Sequence, residues 1–234
     1  MAQLKKPKGK IRIISNSSER FEDRQQAGQL LGAEMTILRG QKAVVLGIPR
    51  GGIVVARELA RQVEGDLDIV LARKLGTPGQ LELAMGSVAE DGSVFLNAEV
   101  VNTLGISARQ IEQEKSRQMA EIQRRNELVR SVLPRTPLQN RVVVLTDDGL
   151  ATGATMQAAL WAVRHESPLR LIVAVPVASD EALLRVSQDA DETICLRQPP
   201  YFSAVGQFYR KFEPVEDEEV LQALREEAER REVK

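Results

Sequence analysis

One cysteine (Cys195) and one histidine (His165) in 234 residues cannot supply an internal disulfide framework or a cysteine/histidine zinc cluster. They also leave no Ser-His-Asp machinery except through that single histidine, and no G-x-S-x-G elbow occurs. Neither sign of charge dominates: 32 Lys and Arg stand against 33 Asp and Glu, a formal net charge of -1. That balance argues against a wholly basic nucleic-acid binder, so any polyanion has to be held by local cations. Apolar runs are far shorter than a membrane span, and Met1 to Lys10 carries charges without a hydrophobic signal core. The expectation is a soluble, cytoplasmic protein with no membrane partner. Hydrophobic residues (43%) and charged residues (28%) are in ordinary globular proportion, and the length suits one large domain or two small ones.

Lys5, Lys6, Lys8, Lys10 and Arg12 open the chain. Residues 1–20 read as a flexible basic arm with a short strand at Ile11 to Ile14, a solvated tail being preferred over a nucleic-acid contact. From Phe21 the pattern changes: Phe21, Ala27, Leu30, Leu31, Met35 and Leu38 recur at helical spacing, with Gly40 as a stop. Apolar runs at 43–46, 67–71, 142–145, 171–177 and 193–196 then alternate with helical stretches near 54–59, 154–163 and 181–186. Near-continuous Val/Ile/Leu strands separated by helices predict an α/β fold, a doubly wound parallel sheet covered on both faces.

Two pieces stand outside this alternation. Asp91-Gly92, between 87–89 and 94–96, is a two-residue hairpin signal, and Ser107-x-x-Gln110 is a capping box opening a long charged helix to about Val132. The apolar stripe of that helix is thin (Ile111, Met119, Ile122, Val129), which fits either an edge-on helix of the domain or a dimer contact. The expected organisation is therefore an arm (1–20), a core (21–196) with a hairpin and helical insertion at about 87–138, and a small C-terminal hood and helix (197–234). Val220, Leu221 and Leu224 mark the last helix.

The chemistry concentrates in 142–155, where a buried strand ends in Asp147-Asp148 and the small-residue loop Gly149-Leu150-Ala151-Thr152-Gly153 leads into a helix at Ala154-Thr155. In open α/β sheets ligands bind at the carboxyl ends of strands. Gly149 and Gly153 permit unusual dihedrals, Ala151 and Ala154 keep the backbone accessible, and the helix start offers free N–H groups to an anion. Thr152 and Thr155 add hydroxyl donors. Hydrogen bonds to a charged group are worth about 1.5–3 kcal/mol each, so four or five hold one phosphate without a lysine. Two carboxylates beside such a cradle repel the phosphate unless they face hydroxyls or a divalent cation. A sugar phosphate satisfies both demands, with Mg2+ held by Asp147 and Asp148 through water. No P-loop lysine follows, and no G-x-G-x-x-G fingerprint occurs.

This stretch resembles the signature of the type I phosphoribosyltransferases: a strand, two acidic residues and a Thr-Gly-x-Thr loop that binds 5-phosphoribosyl 1-pyrophosphate. Gly47-Ile48-Pro49-Arg50-Gly51-Gly52 resembles the family's pyrophosphate loop, often built around a non-proline cis peptide, here expected at Arg50-Gly51. Arg73-Lys74, before the mobile-looking Gly76-Thr77-Pro78-Gly79-Gln80, resembles the cations of a flexible loop that closes over the site. The likeness to a bacterial subgroup of stand-alone members extends through Phe21-x-Asp23-Arg24, Glu82-x-Ala84-x-Gly86, Phe202-x-Ala204-Val205-Gly206 and Tyr209-x-x-Phe212.

The resemblance implies transfer of phosphoribose to an unidentified nitrogenous base with release of pyrophosphate, in a homodimer. Asp147, Asp148, Arg73 and Lys74 are then the candidate catalytic residues. Arg50, Gly51, Gly52, Gly149, Ala151, Thr152, Gly153, Ala154 and Thr155 are candidates for substrate binding. Tyr201 and Phe202 offer a stacking surface for a base or, alternatively, core packing. Ala151 occupies the position where 6-oxopurine members carry an aspartate general base, which does not fit purine salvage by that route. A non-catalytic sensor of the same ligand, and hydrolysis or phosphoryl transfer on a related sugar phosphate, remain open alternatives. His165 near a helix end, Cys195 in an apolar strand and Trp161 on a helix read as structural.

Overall fold

The computed structural model describes residues 9–232, with backbone only at 81 and 82. Six strands form one parallel sheet in the order β1 (Lys10–Ser15), β9 (Glu192–Arg197), β8 (Arg170–Val177), β7 (Val142–Thr146), β2 (Val44–Gly47), β3 (Asp66–Ile69). Alternation along the central strands sorts their side chains onto two faces. Val142 and Val144 join one buried cluster, whereas Val143 and Leu145 join the other. The first face is covered by α1 (Arg24–Ala33), α2 (Gly51–Val63) and α7 (Asp217–Glu232). The second is covered by α5 (Ala154–His165) and α6 (Asp180–Val186). This is the doubly wound sheet expected from the runs.

The first strand is the edge of this sheet, pairing Ile11 with Thr193 and Ile13 with Cys195, so this part of the expected arm belongs to the core layer. Lys5, Lys6 and Lys8 lie outside the described residues. The helix expected from Phe21 is shorter: Asp23 caps α1 by accepting from the Gln26 amide, and a 3-10 turn (Thr36–Leu38) replaces the last part.

The piece outside the parallel sheet begins at Ala72 rather than near 87. It is a three-stranded antiparallel sheet of β4 (Ala72–Thr77), β5 (Gln80–Ala89) and β6 (Val94–Leu96), followed by α3 (Ala98–Thr103) and α4 (Ala108–Arg130). The segment expected to be a mobile loop is thus a hairpin. Pro78-Gly79 turns it, with Gly79 at φ +79 as a Pro-Gly turn of the second type demands. The expected 91–92 turn is present but one residue longer, since the Ala89 amide donates to Ser93 O and Gly92 takes φ +80. Ser107 and Gln110 form the reciprocal cap of α4. That helix is anchored by Ile122 and Val129 against β4, β5 and α7, which is the edge-on packing. No helix among the described residues is long and apolar enough to cross a membrane.

Candidate active site

Strands β2 and β7 are parallel neighbours with Gly47 opposite Thr146, so the loops that follow them leave the same edge side by side. From there the chain runs through α2 to β3 on one side and through α5 to β8 on the other. The crevice between the two loops is the point where the winding reverses. Two glycines let the loops meet. A Cβ on Gly51 would lie 2.1 Å from Asp148 Oδ2, and one on Gly52 would lie 2.9 Å from the Asp147 Cα. The non-proline cis peptide is Pro49-Arg50, one bond before the position expected, and α2 starts directly after it, with Arg50 as its cap and Gly51 as its first residue.

The acidic pair is tightly held. Asp147 Oδ1 accepts the Asp148 amide at 2.8 Å, and Asp148 Oδ2 accepts from Arg24 Nε at 2.8 Å. The Tyr209 hydroxyl donates to Asp148 O at 2.6 Å. Arg24 is itself fixed by donating to Glu213 O at 2.9 Å and by stacking 3.9 Å above the Phe212 ring. Burial, reinforced by the charge of Asp148, raises the Asp147 carboxyl well above its ordinary value. Burial raises Asp148 too, against the hydrogen bond and charge of Arg24. One guanidinium therefore serves two carboxylates, and the pair gains from hydroxyl donors or a second cation. No group of three or more His, Cys, Asp or Glu side chains is arranged to hold a metal among the described residues. Two adjacent carboxylates with one oxygen each already engaged suit an ion that keeps most of its waters and takes substrate oxygens, as Mg2+ does. They do not suit a closed protein cage.

Beyond the acids the loop is strapped down at one residue and open at the next. The Leu150 amide donates to Val177 O (2.9 Å), its carbonyl accepts the Ser179 amide (3.0 Å), and Ala151 O accepts Ser179 Oγ (2.7 Å). Gly149 packs against Val205 and Val177, and Gly153 takes φ +72 before α5. The Ala154 amide donates to Thr152 Oγ1 at 3.4 Å. The amides of Ala151, Thr152, Gly153, Thr155 and Met156 donate to no protein acceptor among the described residues. Ala151, Thr152 and Thr155 are exposed. A helix start with unpaired amides on an accessible turn is chemically an anion receptor.

Arg73 and Lys74 lie on β4 rather than on a loop. With Thr155, Gly76 and the α4 residues Glu114, Arg117 and Gln118 they line a cavity of about 240 Å³. Arg73 Nε donates to Gln118 Oε1 at 3.2 Å. A smaller cavity of about 50 Å³ continues past Thr155 and Arg73 to Pro49. Arg50, 40% exposed, is 3.8 Å from Glu216. Tyr201 is 85% exposed, and the Phe202 ring packs 5.1 Å from that of Phe208, so neither is brought to these cavities. Cys195 is fully buried, with burial pushing its thiol up to about 12, and His165 is exposed at the end of α5.

Sequence reasoning missed three contributors. Arg24 and Tyr209 appeared there only as parts of longer strings; their link to Asp148 spans 124 and 61 residues, beyond any local pattern. The third is the polar face of α4. Glu114, Gln118, Glu121 and Arg125 recur at helical spacing beside the apolar stripe, and all four line the cavities.

Comparison with known proteins accords with this geometry. The phosphoribosyl transferase domain model matches residues 4–213. The Mycobacterium tuberculosis H37Rv protein named "Putative phosphoribosyl transferase Rv0571c" is 42% identical over 204 residues, 87% of this chain and 46% of that protein. The chain thus spans about half the length of the curated relatives it matches. The crystal structure of TT1426 from Thermus thermophilus is 45% identical and superposes with a TM-score of 0.84, covering 88% of this chain and 98% of that one. An acidic pair and an open amide turn at the switch point of a parallel sheet, with these matches, mean that the chain belongs to the family of phosphoribosyl transferase domains.

Proposed function

We propose that this protein is a phosphoribosyltransferase that binds 5-phosphoribosyl 1-pyrophosphate and transfers its phosphoribosyl group to a nitrogenous base. The C1–N bond forms as the C1–O bond to pyrophosphate breaks. The observation that carries this reading is the meeting at one crevice of two glycines, two carboxylates and a turn of unpaired amides. In this reading the unpaired amides of Ala151, Thr152, Gly153, Thr155 and Met156, with the hydroxyls of Thr152 and Thr155, hold the 5-phosphate. Asp147 and Asp148 take the ribose hydroxyls and, through water, Mg2+. When bound, Mg2+ neutralises charge developing on the pyrophosphate. Arg50, Arg73 and Lys74 orient that leaving group, so catalysis is mostly positioning and electrostatic stabilisation. The Arg73 hairpin and α4 wall the site against water, which an oxocarbenium-like state requires. Assembly as a homodimer in the cytoplasm, with small-molecule partners only, completes the proposal.

Calorimetry with Mg2+ and phosphoribosyl pyrophosphate, followed by a pyrophosphate-release screen across nitrogenous bases, tests it. Binding and base-dependent release are expected, and Asp147→Asn with Asp148→Asn abolishes both. Binding without release for any base would replace transfer by a sensing role, and phosphate release without an acceptor would replace it by hydrolysis.

A further inference from the structure

Arg125 on α4 is half-buried and makes no ion pair or side-chain hydrogen bond among the described residues. That is unusual for a guanidinium with restricted access to water, which normally finds a carboxylate or carbonyl. It lines two cavities that flank Pro49. One, about 50 Å³, is shared with Thr155 and Arg73; the other, about 20 Å³, is shared with Arg50. Cations thus reach this pair of cavities from three elements: the loop after β2, the strand β4 and the helix α4. Two carboxylates also line them, the exposed Glu121 in the first and Asp217 in the second, but neither is paired with Arg125.

The competing demands on the other cations sharpen the assignment. Arg24 is committed to Asp148, Arg50 faces Glu216, and Arg73 donates to a neutral amide. A diphosphate carries several negative charges and favours planar, forked donors over a single point charge. We propose that Arg125 is a diphosphate-binding residue supplied by the helical insertion, clamping the pyrophosphate group between α4 and the Pro49-Arg50 loop. This rests on the phosphoribosyltransferase reading and adds to it a residue outside the loops that carry the family resemblance. The insertion is then part of the site and not merely a buttress on the sheet. Ile122 and Val129, buried on the same helix, fix the height at which Arg125 meets the cavity.

The test compares three probes by calorimetry in Mg2+: inorganic pyrophosphate, phosphoribosyl pyrophosphate and ribose 5-phosphate. Against wild type, Arg125→Gln should weaken the first two by about ten- to hundredfold, the loss of one or two charge-assisted hydrogen bonds. Ribose 5-phosphate affinity should stay within about twofold. Arg125→Lys should recover part of the loss, and Arg124→Gln, on the exposed side of the helix, should change nothing. Thermal unfolding of each variant separates misfolding from lost contact. If Arg125→Gln leaves pyrophosphate affinity intact, weakens all three probes equally or matches Arg124→Gln, the assignment to Arg125 is wrong while the function reading stands. If wild type binds neither sugar phosphate, the function reading fails and this inference with it.

Discussion

Replacing Gly51 by alanine adds one carbon where the two site loops touch. Its Cβ would sit 2.1 Å from Asp148 Oδ2, 2.9 Å from Asp148 Cγ and 3.0 Å from Arg24 Nε. A short carboxylate pinned by a 2.8 Å bond cannot swing aside without releasing Arg24. Both side chains are mostly buried, 11% and 16% exposed, so the lost charge-assisted hydrogen bond costs about 1.5–3 kcal/mol. Alanine at this first position of the helix recovers at most about 0.5–1 kcal/mol relative to glycine. The net loss is about 1–2 kcal/mol, which for a domain of this size lowers the melting temperature by about 2–8 °C. Ribose 5-phosphate affinity should fall at least about tenfold, because Asp148 is turned away from the crevice. Scanning calorimetry and titration calorimetry read the two effects. The decisive comparison is the same substitution in an Asp148→Ala background, where the carboxylate is gone and Arg24, no longer held by it, can shift its Nε away, so Gly51→Ala should cost almost nothing. Equal costs in both backgrounds would refute the contact as the cause.

Two further outcomes follow from residues away from the crevice. Glu227 is buried; it accepts the Leu67 amide at 3.1 Å, Arg230 Nε at 2.7 Å and Arg231 Nε at 2.8 Å, pinning α7 to β3. Glu227→Ala leaves the buried Leu67 amide without its acceptor and takes the carboxylate from Arg230 and Arg231, which keep neutral acceptors at Gly65 O, Leu67 O and Thr136 Oγ1. The protein should therefore lose about 2–4 kcal/mol while ligand affinity is unchanged, as thermal unfolding and calorimetry would reveal. Cys195, its thiol raised to about 12 by burial, stays protonated at pH 8 and should resist a thiol reagent in the native state but react in denaturant. Rapid native labelling would contradict its place in β9.

What could be read in advance follows the range of the interactions. Buried parallel strands are legible because each carries its own apolar run, and the capping box of α4 because its two partners are three residues apart. The acid pair and its loop were legible as a local string whose residue types already fix its chemistry. Strand β4 was not: Arg73, Lys74 and Gly76 read as loop chemistry, and pairing with β5 overrides that local preference. The Pro78-Gly79 turn was the available signal. Helix α3 escaped because it is six residues long and buries none of them, leaving only the Asn97 cap to announce it. Arg24 reaching Asp148, and Tyr209 bracing the same residue, are products of the tertiary fold. The polar face of α4 was not legible because the apolar stripe encodes only how the helix is anchored, not what its other side touches.

The central claim is that the turn after β7 receives the phosphate of a phosphorylated pentose while Asp147 and Asp148 hold its ring. A crystal structure with ribose 5-phosphate tests it most directly. The phosphate should lie within hydrogen-bonding distance of the unpaired amides among Ala151, Thr152, Gly153, Thr155 and Met156, with the 2- and 3-hydroxyls on the two aspartates. A sugar phosphate bound elsewhere, with those amides left to water at saturating ligand, would contradict it.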